Sequence, residues 1–182
     1  CILNSCSKYD AYLTSIGHWN KLEISRIRHE KFHEWFKLHV AQLIANGEDI
    51  SEEIQTLANG PFLAARKCNS YTIDGYNFHT NSYDQGRPTQ SSGVDLVSQI
   101  LSPSCEDSED LMVTNKIYYG VITEILELNY NNKGSIVLFK CDWVDNSAQD
   151  KWVQVDDLGV TRVNFKHLLK SDEPFILASQ AT

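Results

Sequence analysis

Apolar residues in the first third of the chain recur with the spacing of an amphipathic helix. Between residues 21 and 46 they fall three or four positions apart, which places them on one helix face. The members of this stripe are Phe32, Trp35, Phe36, His39, Val40 and Leu43. Asn20 and Glu23 fit a capping box before the stripe, and Asn46-Gly47 fits a helix end after it. The pattern predicts one long helix over this range.

A second, shorter helix is predicted in DISEEIQTLANGP, directly after the first. Asp49 or Ser51 is the candidate N-cap, and Gly60-Pro61 ends the segment. Two helices joined by a short loop form a helical hairpin, which we expect at the N-terminal end of the chain.

After Pro61 the apolar residues change to the two-residue period of strands. In YTIDGYNFHT the pair Asp74-Gly75 lies between two β-rich runs, a typical signal of a β-hairpin. TQSSGVDLVSQI is a candidate for a further strand. SPSCEDSEDLMV combines proline, serine and four acidic residues, so it predicts a solvated loop or linker.

The strongest strand pattern lies in the last third of the chain. KIYYGVITEILELNY and SIVLFKCDWV flank the turn sequence NNKG, and KWVQV, GVTRVNF and PFILASQ are shorter strand candidates. In the second run one face is wholly apolar, and it consists of Val137, Phe139, Cys141 and Trp143. Gly120 interrupts the first run, which predicts a bulge or a sharp bend at that position.

Together these patterns predict an α+β fold, with an N-terminal helical hairpin followed by a small antiparallel β barrel or sandwich. The predicted segments are a helical segment at 1–60, a β-hairpin connection at 61–101, an acidic loop or linker at 102–114, and a small β domain at 115–182. Because the chain begins with Cys1 and stops directly after a strand-like run, we expect both ends to be cut and the β domain to be C-terminally truncated.

Composition and charge narrow the function classes. The 182 residues are 42% hydrophobic and 22% charged, which is typical of a globular protein, and no apolar run is long enough to span a membrane. The net charge of −8 disfavours a protein whose main contact is the nucleic-acid phosphate backbone. Five scattered cysteines without a C-x-x-C pair indicate reduced thiols.

The string HEKFH, residues 29–33, matches the H-E-x-x-H pattern of zinc proteases. On a helix His29 and His33 lie one turn apart and can hold one metal, with Glu30 as the general base. However, Phe36 occupies the position where one protease class has glycine, and His39 lies within the apolar stripe. We therefore interpret the string as an accidental match on an amphipathic helix. A zinc hydrolase is kept as an alternative.

The remaining candidate residues are aromatic or basic. Four aromatic residues lie on or beside predicted strands, where they either form core or line a cage for a methylated lysine through cation–π contacts: Tyr118, Tyr119, Trp143 and Trp152. Arg66 and Lys67 form the nearest basic patch, and Arg87 is the third base of a DNA-binding alternative. We regard Tyr119, Trp143, Trp152, Arg66 and Lys67 as possible partner contacts.

Several of these stretches together resemble proteins encoded by plant CACTA-type (En/Spm-like) DNA transposons. The stretches are RHEKFHEWFKLHV, LANGP, YTIDGYNFHT with PTQSSGVDL, YYGVITEILELNYNNKGSIVLFKCDWVD, GVTRVNF and DEPFILASQA. The resemblance covers most of residues 26–181. It corresponds to a domain of unknown function that lies C-terminal to the transposase catalytic domain, together with the helical stretch before it.

The resemblance implies a plant protein that acts in the nucleus, with no activity assigned to this domain. The catalytic carboxylates of such transposases lie in an upstream domain, so no catalytic, cofactor-binding or metal-binding residue is carried over to this chain. We therefore expect a non-catalytic accessory module without a cofactor. Its expected partner is a protein, either the transposase catalytic domain or another element-encoded or chromatin protein. The alternative is recognition of transposon-end DNA.

Overall fold

Helices come first in the chain and antiparallel sheets follow them, so the fold is α+β as predicted. The structure is a computed structural model that describes residues 7–17, 21–103, 111–130, 134–145, 152–169 and 174–182. The chain divides into two units. The helical unit comprises Cys1–Leu63 with Tyr130–Gly134, and the β unit comprises Ala64–Asn129 with Ser135–Thr182. None of the described helices is both long and apolar enough to cross a membrane.

The helical unit contains α1 (Ser7–Ile16), α2 (Lys21–Ala45) and α3 (Glu52–Asn59). The bounds of α2 agree with the sequence prediction to within one residue. At the start of α3 the Ser51 hydroxyl accepts a hydrogen bond from the Ile54 N–H, and Gly60 ends the helix with φ 78°. The predicted helical hairpin of α2 and α3 is confirmed, and Ser51 rather than Asp49 is the N-cap.

The sequence prediction did not include α1. Tyr9 and Leu13 of α1 are almost fully buried and pack with Trp35 and Ile27 of α2. The Tyr9 hydroxyl also donates to the Arg28 carbonyl oxygen at 2.6 Å. A ten-residue helix is marginal in isolation, so these contacts with α2 account for its formation.

Nine strands, a short α-helix and a 3-10 helix form the β unit as it is described. The strands are β1 (Ala65–Cys68), β2 (Ser70–Ile73), β3 (Tyr76–His79), β4 (Gly93–Pro103), β5 (Leu111–Asn129), β6 (Ser135–Trp143), β7 (Val153–Val155), β8 (Thr161–Val163) and β9 (Phe175–Leu177), with α4 (Asn81–Asp84) after β3. β1, β4, β5, β6 and β9 make a five-stranded antiparallel sheet. Along one edge, the long strand β5 pairs first with β4 and, further along the strand, with β1. Along its other edge β5 pairs with β6.

Two hairpins complete the β unit, β2–β3 and β7–β8. The first turns at Asp74 (φ 52°) and Gly75 (φ 85°), the left-handed pair that a two-residue hairpin turn requires. The structure therefore contains a hairpin at the position where the sequence predicts one.

The predicted acidic loop at 102–114 is entered by strands from both sides. β4 extends to Pro103 and β5 begins at Leu111, and these two residues are paired in the β4–β5 register. Residues 104–110, which include the acidic cluster, lie outside the described residues. The acidic stretch thus connects two paired strands of one sheet.

The core of the β unit lies on one face of the five-stranded sheet. The alternation predicted for β6 is confirmed, since Val137, Phe139, Cys141 and Trp143 are all buried. They pack with Phe78, Ile122, Ile125 and Ile176, among others. Burial raises the pKa of the Cys141 thiol to about 12, which keeps it protonated and unreactive.

The bulge predicted at Gly120 is displaced along β5. Gly120 pairs regularly with Trp143, and the register shifts between Ile122 and Glu124 instead. The shift brings both Ile122 and Ile125 to the core face, which strict alternation would not allow. The prediction at Gly120 was wrong because the glycine has another role, to accommodate Trp143.

The described C-terminal residues reach the far edge of β4. After β9, a 3-10 helix at Ala178–Gln180 leads to Thr182, whose N–H and C=O exchange hydrogen bonds of 3.2 Å and 3.0 Å with Asp95. Among the described strands no closed barrel is formed, so the barrel or sandwich stays a prediction.

Candidate protein-interaction surface

The face of the five-stranded sheet opposite the core carries two neighbouring rows of side chains. Leu126, Leu138 and Leu177 are direct cross-strand neighbours in β5, β6 and β9. The adjacent row is formed in the same three strands by Glu124, Lys140 and Phe175. We call these side chains, with Lys67 of β1, the outer patch. Its members are Lys67, Glu124, Leu126, Leu138, Lys140, Phe175 and Leu177.

The apolar part of the outer patch is open to solvent at β9. Phe175 is 44% exposed and Leu177 is 40% exposed, and Leu138 beside them is half-buried. Contiguous exposed apolar side chains with a polar border are typical of protein–protein contact sites. The patch is therefore a candidate contact surface.

The charged part of the outer patch is internally paired. The Glu124 carboxylate accepts hydrogen bonds from Lys67 Nζ at 2.5 Å and from Lys140 Nζ at 2.9 Å. These two hydrogen bonds lower the pKa of Glu124 to about 2, against the opposing effect of burial. Glu124 is therefore ionised at neutral pH and offsets part of the lysine charge.

The two basic residues singled out in the sequence both have acidic partners. Arg66 Nε donates to Glu127 Oε2 at 2.6 Å, and Lys67 is bound to Glu124. The β1–β5 register places Arg66 directly opposite Glu127. Arg87, the third base of the DNA alternative, lies over the Tyr83 ring at 3.8 Å. The structure thus pairs the predicted basic patch with carboxylates on the neighbouring strand.

The three candidate aromatic residues occupy separate places. Trp143 is only 6% exposed and belongs to the core. Tyr119 is half-buried on the opposite face, where it lines a cleft of about 460 Å³ together with Asp95 and Phe165. Trp152 is half-buried and stacks on the His167 ring at a centroid distance of 3.4 Å. Tyr119 and Trp143 therefore do not line a common cage.

The HEKFH string lies within the helix α2. His33 is exposed, and the His39 ring stacks on Trp35 at 4.8 Å. The side chain of His29 lies outside the described part of the structure. Within that part, no group of three or more His, Cys, Asp or Glu residues is arranged to hold a metal ion.

Sequence reasoning missed a buried polar cluster after β3. Asp84 is 1% exposed, and its carboxylate accepts hydrogen bonds from the Ser91 N–H at 2.6 Å and from His79 Nδ1 at 2.7 Å. Burial acts to raise the pKa of Asp84, but the hydrogen bonds from Ser91, His79 and Ser92 together hold it below its ordinary value.

The Asp84 carboxylate links β3, through His79, to the segment before β4, through Ser91, across the turn at Gly86. No spacing rule identifies such a pair, since the partners meet only when the chain has turned. The stretches that the carboxylate joins are YTIDGYNFHT, which contains His79, and PTQSSGVDL, which contains Ser91.

Comparison with known proteins gives one result for part of the chain. No curated protein matches the sequence. No solved structure matches it either. Residues 126–182 match a family model described as Domain of unknown function (DUF4216). The matched segment contains the end of β5, all of β6 and the strands β7 to β9, and therefore Leu126, Leu138, Lys140, Phe175 and Leu177 of the outer patch.

Proposed function

We propose that this chain is a non-catalytic accessory module of a transposon-encoded protein in plant nuclei, and that its outer patch binds the transposase catalytic domain. The observation that carries the proposal is the exposed pair Phe175 and Leu177 beside Leu138, on a face whose charges are already paired. Covering such a face removes apolar area from water, and each Å² removed contributes roughly 25 cal/mol of favourable free energy. The paired Glu124 limits the desolvation cost of the nearby lysines.

The resemblance to CACTA-type transposon proteins supports the choice of partner. In such proteins this segment follows the catalytic domain in the same chain. Binding would then be intramolecular, with an effective concentration on the order of millimolar for a short flexible connection. A patch of modest area is sufficient under that condition. Another element-encoded protein or a chromatin protein is the alternative partner.

Recognition of transposon-end DNA is less well supported. Arg66 and Lys67 would have to exchange Glu127 and Glu124 for phosphate groups. The net charge of −8 adds a long-range repulsion between the chain and DNA. These two facts support the choice of protein binding over DNA binding as the proposal.

The proposal is tested by measuring the affinity of the chain for a separately purified catalytic domain of a related element, by calorimetry. Leu177→Glu, at the exposed end of the outer patch, is expected to weaken binding about tenfold or more. Leu158→Glu is the matched control, because Leu158 is 88% exposed and lies outside the patch. Absence of binding, or equal effects of the two substitutions, would overturn the proposal.

The DNA alternative is decided by a titration with terminal-repeat DNA at low and physiological salt. Sequence-preferring binding that survives physiological salt and is lost in Arg66→Ala would replace the protein-binding proposal. Weak binding that disappears as salt is added would indicate only a general attraction to phosphate.

For the fold, we propose that the five-stranded sheet closes into a barrel. The reciprocal hydrogen bonds between Asp95 and Thr182 support it, because they connect the chain that leaves β9 to the far edge of β4. Amide exchange slow enough to show protection at Thr182 would favour such closure. Rapid exchange at Thr182 would favour an open sheet.

A further inference from the structure

The far edge of β4, the one that does not pair with β5, presents backbone groups in a regular pattern. The N–H and C=O of Asp95 both bond to Thr182 and therefore point away from β5. On the other side, the Ser92 carbonyl accepts from the Ile122 N–H of β5. Because these directions alternate along a strand, Val97, Gln99 and Leu101 also direct their backbone groups away from β5.

Beyond Asp95 this edge is open in the described part of the chain. β4 is paired there with β5 alone, and Thr182 occupies only the position of Asp95. The open stretch, Leu96–Pro103, is roughly 27 Å long at about 3.4 Å per residue.

The usual protections of an edge strand are missing from residues 96–102 of this stretch. Natural edges are blocked by lysines, prolines, bulges or short length. The sequence LVSQILS at 96–102 contains no charged residue and no proline, and the β4–β5 register runs without a break from Gly93 to Pro103. Val97 is 53% exposed. The edge is therefore suited to pair with another strand.

We propose that β4 pairs antiparallel with β4 of a second copy of this chain, about a two-fold axis at Gln99. In this register the outward groups of Val97 meet those of Leu101 in the second copy, and Gln99 meets Gln99. This register also fits the residues at the two ends of the paired stretch. Asp95, whose groups are used by Thr182, lies opposite Pro103, which has no N–H to donate.

The charge distribution makes this association depend on salt. The uncharged stretch 96–102 brings no like charges face to face, but each copy carries a net charge of −8. Added salt screens the repulsion between the copies, so the dimer is expected to become tighter. Binding to DNA would show the opposite dependence. The inference uses the edge of β4 and not the outer patch, so it does not depend on the proposed function.

The test is the oligomeric state of the full chain, measured by sedimentation over a range of concentrations under reducing conditions, at about 50 mM and about 300 mM salt. We expect a monomer–dimer equilibrium with a several-fold lower dissociation constant at the higher salt. Val97→Pro removes an N–H that points away from β5, so the sheet is retained while dimerisation weakens about tenfold or more. Val97→Thr keeps the N–H and the preference for strand, and it should dimerise like the parent chain.

If Val97→Pro alters the circular dichroism spectrum, Val97→Lys decides the matter, because a lysine blocks an edge without changing the backbone. A chain that is monomeric at all concentrations overturns the proposal. A dimer that the blocking substitution leaves unchanged overturns it as well, since its interface then lies elsewhere.

Discussion

The indole of Trp143 lies directly over Gly120 on the neighbouring strand. A Cβ atom at position 120 would approach Trp143 Cε3 to 2.7 Å and Cζ3 to 2.9 Å. Both distances are shorter than van der Waals contact allows. Gly120 is not among the residues of positive φ, so the indole, not the backbone conformation, requires the glycine.

Gly120→Ala should therefore destabilise the β unit by about 1–3 kcal/mol, because the added methyl group must displace a buried ring. Urea unfolding followed by tryptophan fluorescence measures this change. Gly93→Ala in β4 is the matched control, since a Cβ there meets nothing within 4 Å, and its effect should stay within about 0.5 kcal/mol. Equal effects of the two substitutions would show that the indole does not occupy this position.

Trp143→Ala should lower the free energy of unfolding by about 3–5 kcal/mol, since it removes a ring from the core. Tyr119→Ala, at a half-buried position on the opposite face, should cost only about 1–2 kcal/mol. Thermal unfolding of the two variants gives the comparison. A well-folded Trp143→Ala protein that has lost partner binding would instead assign Trp143 to a binding surface.

Glu124→Gln should reduce stability at neutral pH, and the difference from the parent chain should depend on pH. The pKa of Glu124 is about 2 in the folded chain against an ordinary 4.5, so the ionised form stabilises the fold above pH 4.5. That contribution is lost as the pH falls from 4.5 towards 2. The melting temperatures of the two proteins should therefore converge over this interval.

The cause of this shift is tested separately with Lys140→Met, which removes one of the two lysine donors. The midpoint of the Glu124 carboxylate, followed by NMR, should rise towards 4.5. An unchanged midpoint would exclude Lys140 as a cause.

Asp84→Asn should loosen the connection between β3 and β4. An amide has one acceptor oxygen and no charge, so it cannot accept from both the Ser91 N–H and His79, and the charge-assisted hydrogen bonds of the carboxylate are lost. Hydrogen exchange at Ser91 should accelerate, and the melting temperature should fall. Asp74→Asn is the matched control, because Asp74 lies at an exposed turn with φ 52°, which asparagine tolerates.

The contribution of Asp84 to the stability of the fold also depends on pH. Its pKa is lowered in the folded chain, so its stabilisation is present above the pKa of an unfolded aspartate and is lost as the pH falls through the folded value. The Asp84→Asn variant should therefore lose less stability on acidification than the parent chain. An equal loss in both proteins would contradict this assignment.

Elements with local signals could be predicted from the sequence. Ser51 and Gly60 cap α3 through groups only a few residues away, and Asp74-Gly75 turns the β2–β3 hairpin through its own backbone conformation. The alternation in β6 likewise predicts that Trp143 faces the core, where the structure has it.

Features that depend on distant pairing could not be predicted. The ion pair of Arg66 with Glu127 follows from the register of β1 on β5, which the spacing of residues within either strand does not determine. The contact of His79 with Asp84 requires the chain to turn at Gly86 first. The helix α1 forms against α2, so a search for an isolated helical signal passes over it.

The 19-residue strand β5 has a consequence for the order of folding during synthesis. β1 and β4 are both made before β5, yet both pair with it, and β1 pairs only with its last part, Ile125–Leu128. A ribosome therefore exposes these two strands before their common partner exists. Closing such non-local pairs is slow, so the helices α1 to α3 can form early, whereas the sheet forms only after the second half of the chain has been made.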